Sequence, residues 1–99
     1  MTYEIELTPE AENDIDKHKK SGDIKILLKI DKLFDELRKN PTFGTGKPEK
    51  LKHYKIETWS RRINEKHRLV YRIENEKIII LSFHFGDIIK TNKIKHKTH

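Results

Sequence analysis

Glu49 is the one carboxylate between Lys47 and His53, a run that also holds Lys50 and Lys52; Arg61, Arg62 and Arg68 come next, and His84 follows near the end of the last apolar run. Cations alone would bind a polyanion, and an acid beside that polyanion is repelled unless it takes protons or organises the cations. Glu49 is therefore the residue that needs a chemical explanation. Cleavage of RNA by its own 2′-hydroxyl needs a base for that hydroxyl, cations for the charge that develops on phosphate, and an acid for the departing 5′-oxygen. Glu49, Arg68 with Lys52, and His84 have the types for those three roles.

The elements that must position these groups follow from the local pattern. Tyr3 to Leu7 alternates polar and apolar residues and predicts an edge strand. Thr8-Pro9 then starts a helix, with Thr8 as the cap and Glu10, Glu12 and Asp14 against the positive end of its dipole, and Ser21-Gly22 ends it. From Asp23 to Asn40 the residues Ile24, Leu27, Leu28, Ile30, Leu33, Phe34 and Leu37 predict a second helix with one buried stripe, stopped at Asn40-Pro41. A loop from Pro41 to Pro48 delivers Glu49 to the sheet edge or to a short turn.

Three strands follow, over 55–63, 67–73 and 77–85, with three-residue separators short enough for hairpins. The predicted class is α+β: an N-terminal strand, two antiparallel helices, then a three-stranded antiparallel meander in one small sheet, all within 1–85. On the middle strand His67, Leu69, Tyr71 and Ile73 share one face, and Arg68, Val70 and Arg72 share the other. The last strand is apolar on both faces and is expected to lie inside the sheet, with His84 at its open end. Residues 86–99 form a basic tail, expected to be mobile, to form a short strand or to bind a partner.

Composition sets further bounds. The chain of 99 residues is long enough for one domain, and with no cysteine it uses neither disulfides nor thiolate metal ligands. An acidic N-terminus and short aliphatic runs argue against a signal peptide or a membrane span, so a cytoplasmic location is expected. Residues 1–40 carry eight basic and ten acidic side chains, whereas 41–99 carry fourteen and six, so the net charge of +6 belongs to the second part. That asymmetry fits either an acidic partner such as nucleic acid or plain solubility.

The spacing Gly44-x-Gly-Lys-Pro-Glu-x-Leu-Lys-His53, then Trp59-Ser-Arg-Arg-Ile-x-Glu-x-His-Arg-Leu-Val-Tyr71, then His84, resembles the YoeB/Txe branch of the RelE/ParE toxin superfamily. The resemblance covers Tyr3 to Phe85 and implies a RelE-like fold. It also implies a ribosome-dependent mRNA interferase that cuts mRNA without metal or other cofactor. On this matching Glu49 takes the general-base position, Arg68 the phosphate-stabilising position, His84 the general-acid position, and Lys52 that of a supporting cation. Lys47, Arg61, Arg62 and Phe85 complete the expected RNA-contacting set. The implied partners are the ribosome with its mRNA, an acidic YefM/Phd-like antitoxin, and frequently a second copy of the toxin.

The chain departs from this pattern at Phe85, where the branch usually has tyrosine: the ring can still stack, but the phenolic hydroxyl is lost. It also continues beyond the point where the pattern tends to stop. The competing reading is a non-catalytic module on the same scaffold, either ParE-like against a protein target or a binder of RNA or the ribosome. A base and an acid together favour cleavage, since a mere binder needs neither. Trp59 is expected to be structural, His53 and His67 either contact RNA or are partly buried, and His96 with His99 in a basic tail make a poor metal site.

Overall fold

In the computed structural model, which describes residues 2–83, the chain folds in the order β1 (Glu4–Leu7), α1 (Pro9–Ser21), α2 (Ile24–Lys39), β2 (Glu49–Lys50), β3 (Thr58–Arg62), β4 (Arg68–Glu74) and β5 (Lys77–Ser82). The helix ends are fixed by the residues that predicted them. Thr8 Oγ1 accepts the N–H of Ala11 at 3.1 Å and donates to the Leu81 carbonyl at 3.2 Å, so one hydroxyl caps α1 and ties it to the sheet. Gly22 closes α1 in the left-handed region at φ 74°, and the Asp23 carboxylate caps α2 through the Ile26 N–H.

The five strands form one sheet in the order β1-β5-β4-β3-β2. β3, β4 and β5 are the expected antiparallel meander, and β1 joins it parallel to β5, with Ile5 opposite Ile78 and Leu7 opposite Ile80. A parallel neighbour needs a long crossover, and the two helices supply it. β5 accordingly has strands on both sides, as its two apolar faces implied. The first strand of the meander begins at Thr58 rather than at 55, and the pair Glu49–Lys50 adds a short outer strand against Ser60 and Trp59.

Both helices lie on one face of the sheet. Ala11, Ile26, Ile30, Leu33 and Leu37 pack there with Ile63, Leu69, Tyr71, Ile78, Ile80 and Phe83. The α2 stripe is rotated from the predicted one. Ile26, Ile30, Leu33 and Leu37 are buried, whereas Ile24 and Leu28 are 67% and 63% exposed. The spacing 26, 30, 33, 37 is itself a helical face, and the apolar residues at 24 and 28 fall on the opposite side of α2. The tail 86–99 lies outside the described residues.

Burial sets the stability expected at each position. Leu33→Ala removes a fully buried side chain and should cost about 2–5 kcal/mol of unfolding free energy, while Leu28→Ala should cost under about 0.5 kcal/mol. Denaturant titration of both variants checks this. Equal losses would place the buried stripe on the wrong side of α2.

Candidate active site

The strand register brings the expected chemistry together on the sheet face away from the helices. Glu49 stands opposite Ser60, Ser60 opposite Val70, and Arg62 opposite Arg68, and directly opposed residues point to the same side. Alternation along β3 and β4 then puts Ser60, Arg62, Arg68, Val70 and Arg72 on that face with Glu49.

Within it the Arg68 guanidinium is held by Ser60: Nε and Nη2 donate to Ser60 Oγ at 3.3 and 3.0 Å. The same Nη2 lies 3.6 Å from Glu49 Oε2, which is ion-pair contact and longer than a good hydrogen bond. The Glu49 side chain is 68% exposed and that of Arg68 only 22%. An ion pair this open contributes about 0–1 kcal/mol. The carboxylate is thus close enough to feel the cation, and free enough to accept a proton from a third group.

Further cations surround this pair. Arg62 is exposed and registers directly across from Arg68, and like charges so placed repel until an anion comes between them. Lys47 and Lys52 are exposed on either side of Glu49 in sequence. Lys47 and His53 adopt positive φ, at 49° and 70°, a conformation uncommon for side-chain-bearing residues, and the two bracket the segment that carries Glu49. Trp59 lies on the helix side against the core, its indole N–H donating to Glu57 Oε2 at 2.8 Å, as a structural tryptophan would. Among the described residues no group of three or more His, Asp or Glu side chains is arranged to hold a metal ion.

Arg61 corrects the sequence-based expectation. Its side chain is 0% exposed, so it is neither on the surface nor available to phosphate. Nε donates to Tyr71 Oη at 3.2 Å, Nη1 to Glu36 Oε1 at 3.1 Å and to the Thr45 carbonyl at 3.3 Å, and Nη2 to the carbonyls of Asn40 and Phe43. Every N–H of the guanidinium has an acceptor. The glycines beside it serve the same packing. A Cβ on Gly44 would fall on Glu36 Oε1, and one on Gly46 would stand 2.7 Å from the Arg62 carbonyl oxygen. Burial pushes the Glu36 carboxyl up, but hydrogen bonds from Thr45 and the guanidinium of Arg61 outweigh it and hold the group below the usual carboxylate range. Burial raises the Tyr71 phenol, and Arg61 opposes that rise.

Ser60 was not among the expected site residues. Its signal was its parity with Arg62 on a strand that alternates with Trp59, Arg61 and Ile63. His84 and Phe85 lie outside the described residues, but Phe83, just before them, is fully buried and its N–H donates to Asp14 Oδ2 at 3.1 Å. Beside Phe83, His18 is buried with its ring 4.9 Å from that of His67, edge to face.

A family model described as "YoeB-like toxin of bacterial type II toxin-antitoxin system" matches residues 7–86. This chain belongs to that family. Toxin YoeB of Escherichia coli K12 is 47% identical over 58 residues, which is 59% of this chain and 69% of that protein. Toxin YoeB of Synechocystis is 44% identical over 64 residues, 65% of this chain and 74% of the relative. Among solved structures, the YoeB dimer from Staphylococcus aureus superposes with a TM-score of 0.74 at 38% identity, over 85% of this chain and 97% of that one. An archaeal RelE from Pyrococcus horikoshii, solved in complex with RelB, is 18% identical with a TM-score of 0.68, covering 85% of this chain and 94% of that one, and shares the fold. The YoeB-like toxin described here therefore has the RelE-like α+β architecture expected from its sequence.

The buried histidine makes stability depend on pH in a defined direction. Burial first, and then the neighbouring His67, lower the His18 pKa from its usual value, with Asp14 partly opposing them. The unfolded chain then binds the extra proton more readily, so His18 contributes stability that is complete above about pH 6.5 and is lost as pH falls toward the folded value. Glu36 adds a second loss at lower pH, as the unfolded carboxylates protonate below about pH 4.5. Melting temperatures measured from pH 7.5 to about pH 2.5 should show both steps. His18→Gln should flatten the upper one.

Proposed function

We propose that this toxin is a ribosome-dependent mRNA endoribonuclease that inhibits translation by cutting mRNA without a metal ion, the RNA 2′-hydroxyl attacking the adjacent phosphate. Glu49 takes the proton of that hydroxyl. Arg68, oriented by Ser60, stabilises the charge that develops on the phosphoryl oxygens, and Lys52 adds to the positive field. His84 gives a proton to the departing 5′-oxygen. Lys47 and Arg62 hold neighbouring phosphates, and Phe85 stacks on a base. Arg61 takes no part in RNA contact.

The observation that carries this reading is the open Glu49–Arg68 pair on one sheet face, with the guanidinium fixed from behind by Ser60. A base needs access to its proton, and a phosphate-binding cation needs a fixed direction. This pair supplies both. The charges on that face take over the role that a metal ion would fill in a two-metal nuclease.

The same basic face fits an acidic antitoxin segment, and a YoeB–YefM heterotetramer from Staphylococcus aureus, whose toxin is 38% identical to this chain with a TM-score of 0.71, gives the form of such a complex. We infer a YefM-like partner that covers the site, homodimerisation as in the related dimer, and action in the cytoplasm, where translating ribosomes are found.

Purified protein added to translating ribosomes should cleave mRNA and should fail on the same RNA without ribosomes. The products should carry 2′,3′-cyclic or 3′-phosphate and 5′-hydroxyl ends. Glu49→Gln, Arg68→Ala and His84→Ala should each lower the rate by roughly 10²-fold or more with the fold intact. Ser60→Ala, which frees Arg68 without removing its charge, should lower it by about 10-fold. A 5′-phosphate product would mean attack by water and would sink the mechanism; wild-type rates in folded Glu49→Gln would remove the base. Binding to a protein target that is indifferent to RNA would point to the non-catalytic alternative.

Association with the ribosome should weaken steeply with salt, because neutralising several phosphates releases their counterions. A salt titration of affinity measures the slope, and Arg62→Ala should reduce it by about one. A flat titration would deny the basic face its part in binding.

A further inference from the structure

Glu49 depends on very little local structure for its position. β2 has only two residues, paired to Ser60 and Trp59, and a strand that short does not fix its own register. Its placement must come from the segments that enter and leave it. On the leaving side the Leu51 N–H bonds to the Thr58 carbonyl at 2.8 Å. The entering side is the loop after α2, and nearly all of its anchors converge on one side chain. The Arg61 guanidinium takes the carbonyls of Asn40, Phe43 and Thr45, Glu36 Oε1 takes the Thr45 N–H at 2.6 Å, and Tyr71 Oη donates to the Pro41 carbonyl. One residue further on, the Gly46 carbonyl accepts the N–H of Arg62 at 2.7 Å. Only Lys47, in a left-handed turn, and Pro48, whose ring fixes φ, separate that bond from Glu49.

We propose that Arg61 is a positioning residue for the reaction: its buried guanidinium, clamped by Glu36 and Tyr71, fixes the 40–46 loop and through it the place of the Glu49 carboxylate beside Arg68. This rests on the reading of Glu49 as the base. The chain geometry links the two sides of the sheet at one strand. Ser60 and Arg62 point to the cleavage face, where Ser60 holds Arg68, and Arg61 between them points inward and holds the loop that carries Glu49. Base and phosphate-binding cation are thus referenced to the same three residues of β3. Lysine cannot replace Arg61 in this role, because a compact ammonium with three donors cannot span acceptors that a planar fork of five reaches. A displacement of about 1 Å at a general base costs on the order of 10²-fold in rate.

The test compares full-length wild type, Arg61→Lys and Tyr71→Phe in ribosome-dependent cleavage, with kcat and KM separated and salt dependence recorded. Arg61→Lys keeps the charge, and its kcat should fall about 10- to 100-fold while KM and the salt slope stay within about twofold of wild type. Tyr71→Phe keeps the ring and removes only the hydroxyl that joins Arg61 to Pro41, and its kcat should fall about 3- to 10-fold, on the same principle of misplacement. Amide exchange gives a reading independent of activity. In both variants the Arg62 N–H, bonded to Gly46, and the Leu51 N–H should lose protection by about 10-fold more than core amides such as that of Ile78.

Wild-type kcat in folded Arg61→Lys would overturn the proposal. A loss confined to KM with a shallower salt slope would overturn it too, and would return Arg61 to phosphate binding. A uniform drop in protection across the whole sheet would also refute it, reducing the residue to a general stabiliser. Should Arg61→Lys not fold, Tyr71→Phe decides, and unchanged kcat with unchanged Arg62 protection rejects the idea. If wild type cleaves nothing, the functional reading fails by itself, and selective loss of protection at Arg62 and Leu51 still upholds or rejects the positioning.

Discussion

A charged side chain removed from water must recover its hydration from the protein, and the guanidinium of Arg61 does so from backbone carbonyls that belong to a loop. That constraint shapes much of what surrounds it. The loop must turn inward three times to present the carbonyls of Asn40, Phe43 and Thr45, which requires the positive φ of Gly44 and leaves no room there for a Cβ beside Glu36. Helix α2 must end at Asn40 so that Glu36 in its last turn can reach both Thr45 and Arg61. Deleting Glu36 would leave the fully buried Arg61 guanidinium one acceptor short and without its countercharge, which is costly because that charge stays away from water. The loop is therefore held by polar contacts to one buried side chain rather than by apolar packing.

The sheet separates this packing from the chemistry by parity alone. Along β3 the residues Trp59 and Arg61 face the helices, and Thr58, Ser60 and Arg62 face away; along β4 Leu69 and Tyr71 face the helices, and Arg68, Val70 and Arg72 face away. Two adjacent arginines thus have opposite fates. A one-residue slip in register would exchange them, burying Arg62 and leaving Glu36 without its guanidinium, so the buried fork also favours the register on which the Glu49–Arg68 pair depends.

Much of this was readable in the sequence, and the misses have physical causes. Thr8-Pro9, Gly22 and Asn40-Pro41 marked the helix ends because capping is a local interaction, and the alternation over 68–74 placed Arg68 on the face away from the core. The parallel pairing of β1 with β5 was not foreseeable from local pattern, since it joins residues more than seventy positions apart. The buried stripe of α2 was misjudged because apolar residues occupy more than half its circumference, and only the packing partners decide which of them go inside. Arg61 was misassigned because residue type was allowed to outweigh strand parity. Its alternation with Trp59 and Ile63 pointed inward, and a charge inside a small domain is foreseeable only if its acceptors are; here all but the Tyr71 hydroxyl lie sixteen to twenty-five residues earlier in the chain.

The looseness of the Glu49–Arg68 contact suits the roles proposed for the two groups. A tight, bidentate pair would hold the carboxylate ionised and would occupy the guanidinium donors that a phosphate needs. Two other features keep the contact from tightening. Ser60 Oγ takes Nε and Nη2 of Arg68, which fixes the plane of the guanidinium, and the loop anchored on Arg61 fixes the backbone of Glu49. The guanidinium is thus held from behind, while the Glu49 side chain stays 68% exposed across a gap of 3.6 Å. The open pair leaves donors and an acceptor facing outward, which is what the proposed substrate, carrying both a hydroxyl and a phosphate, would require.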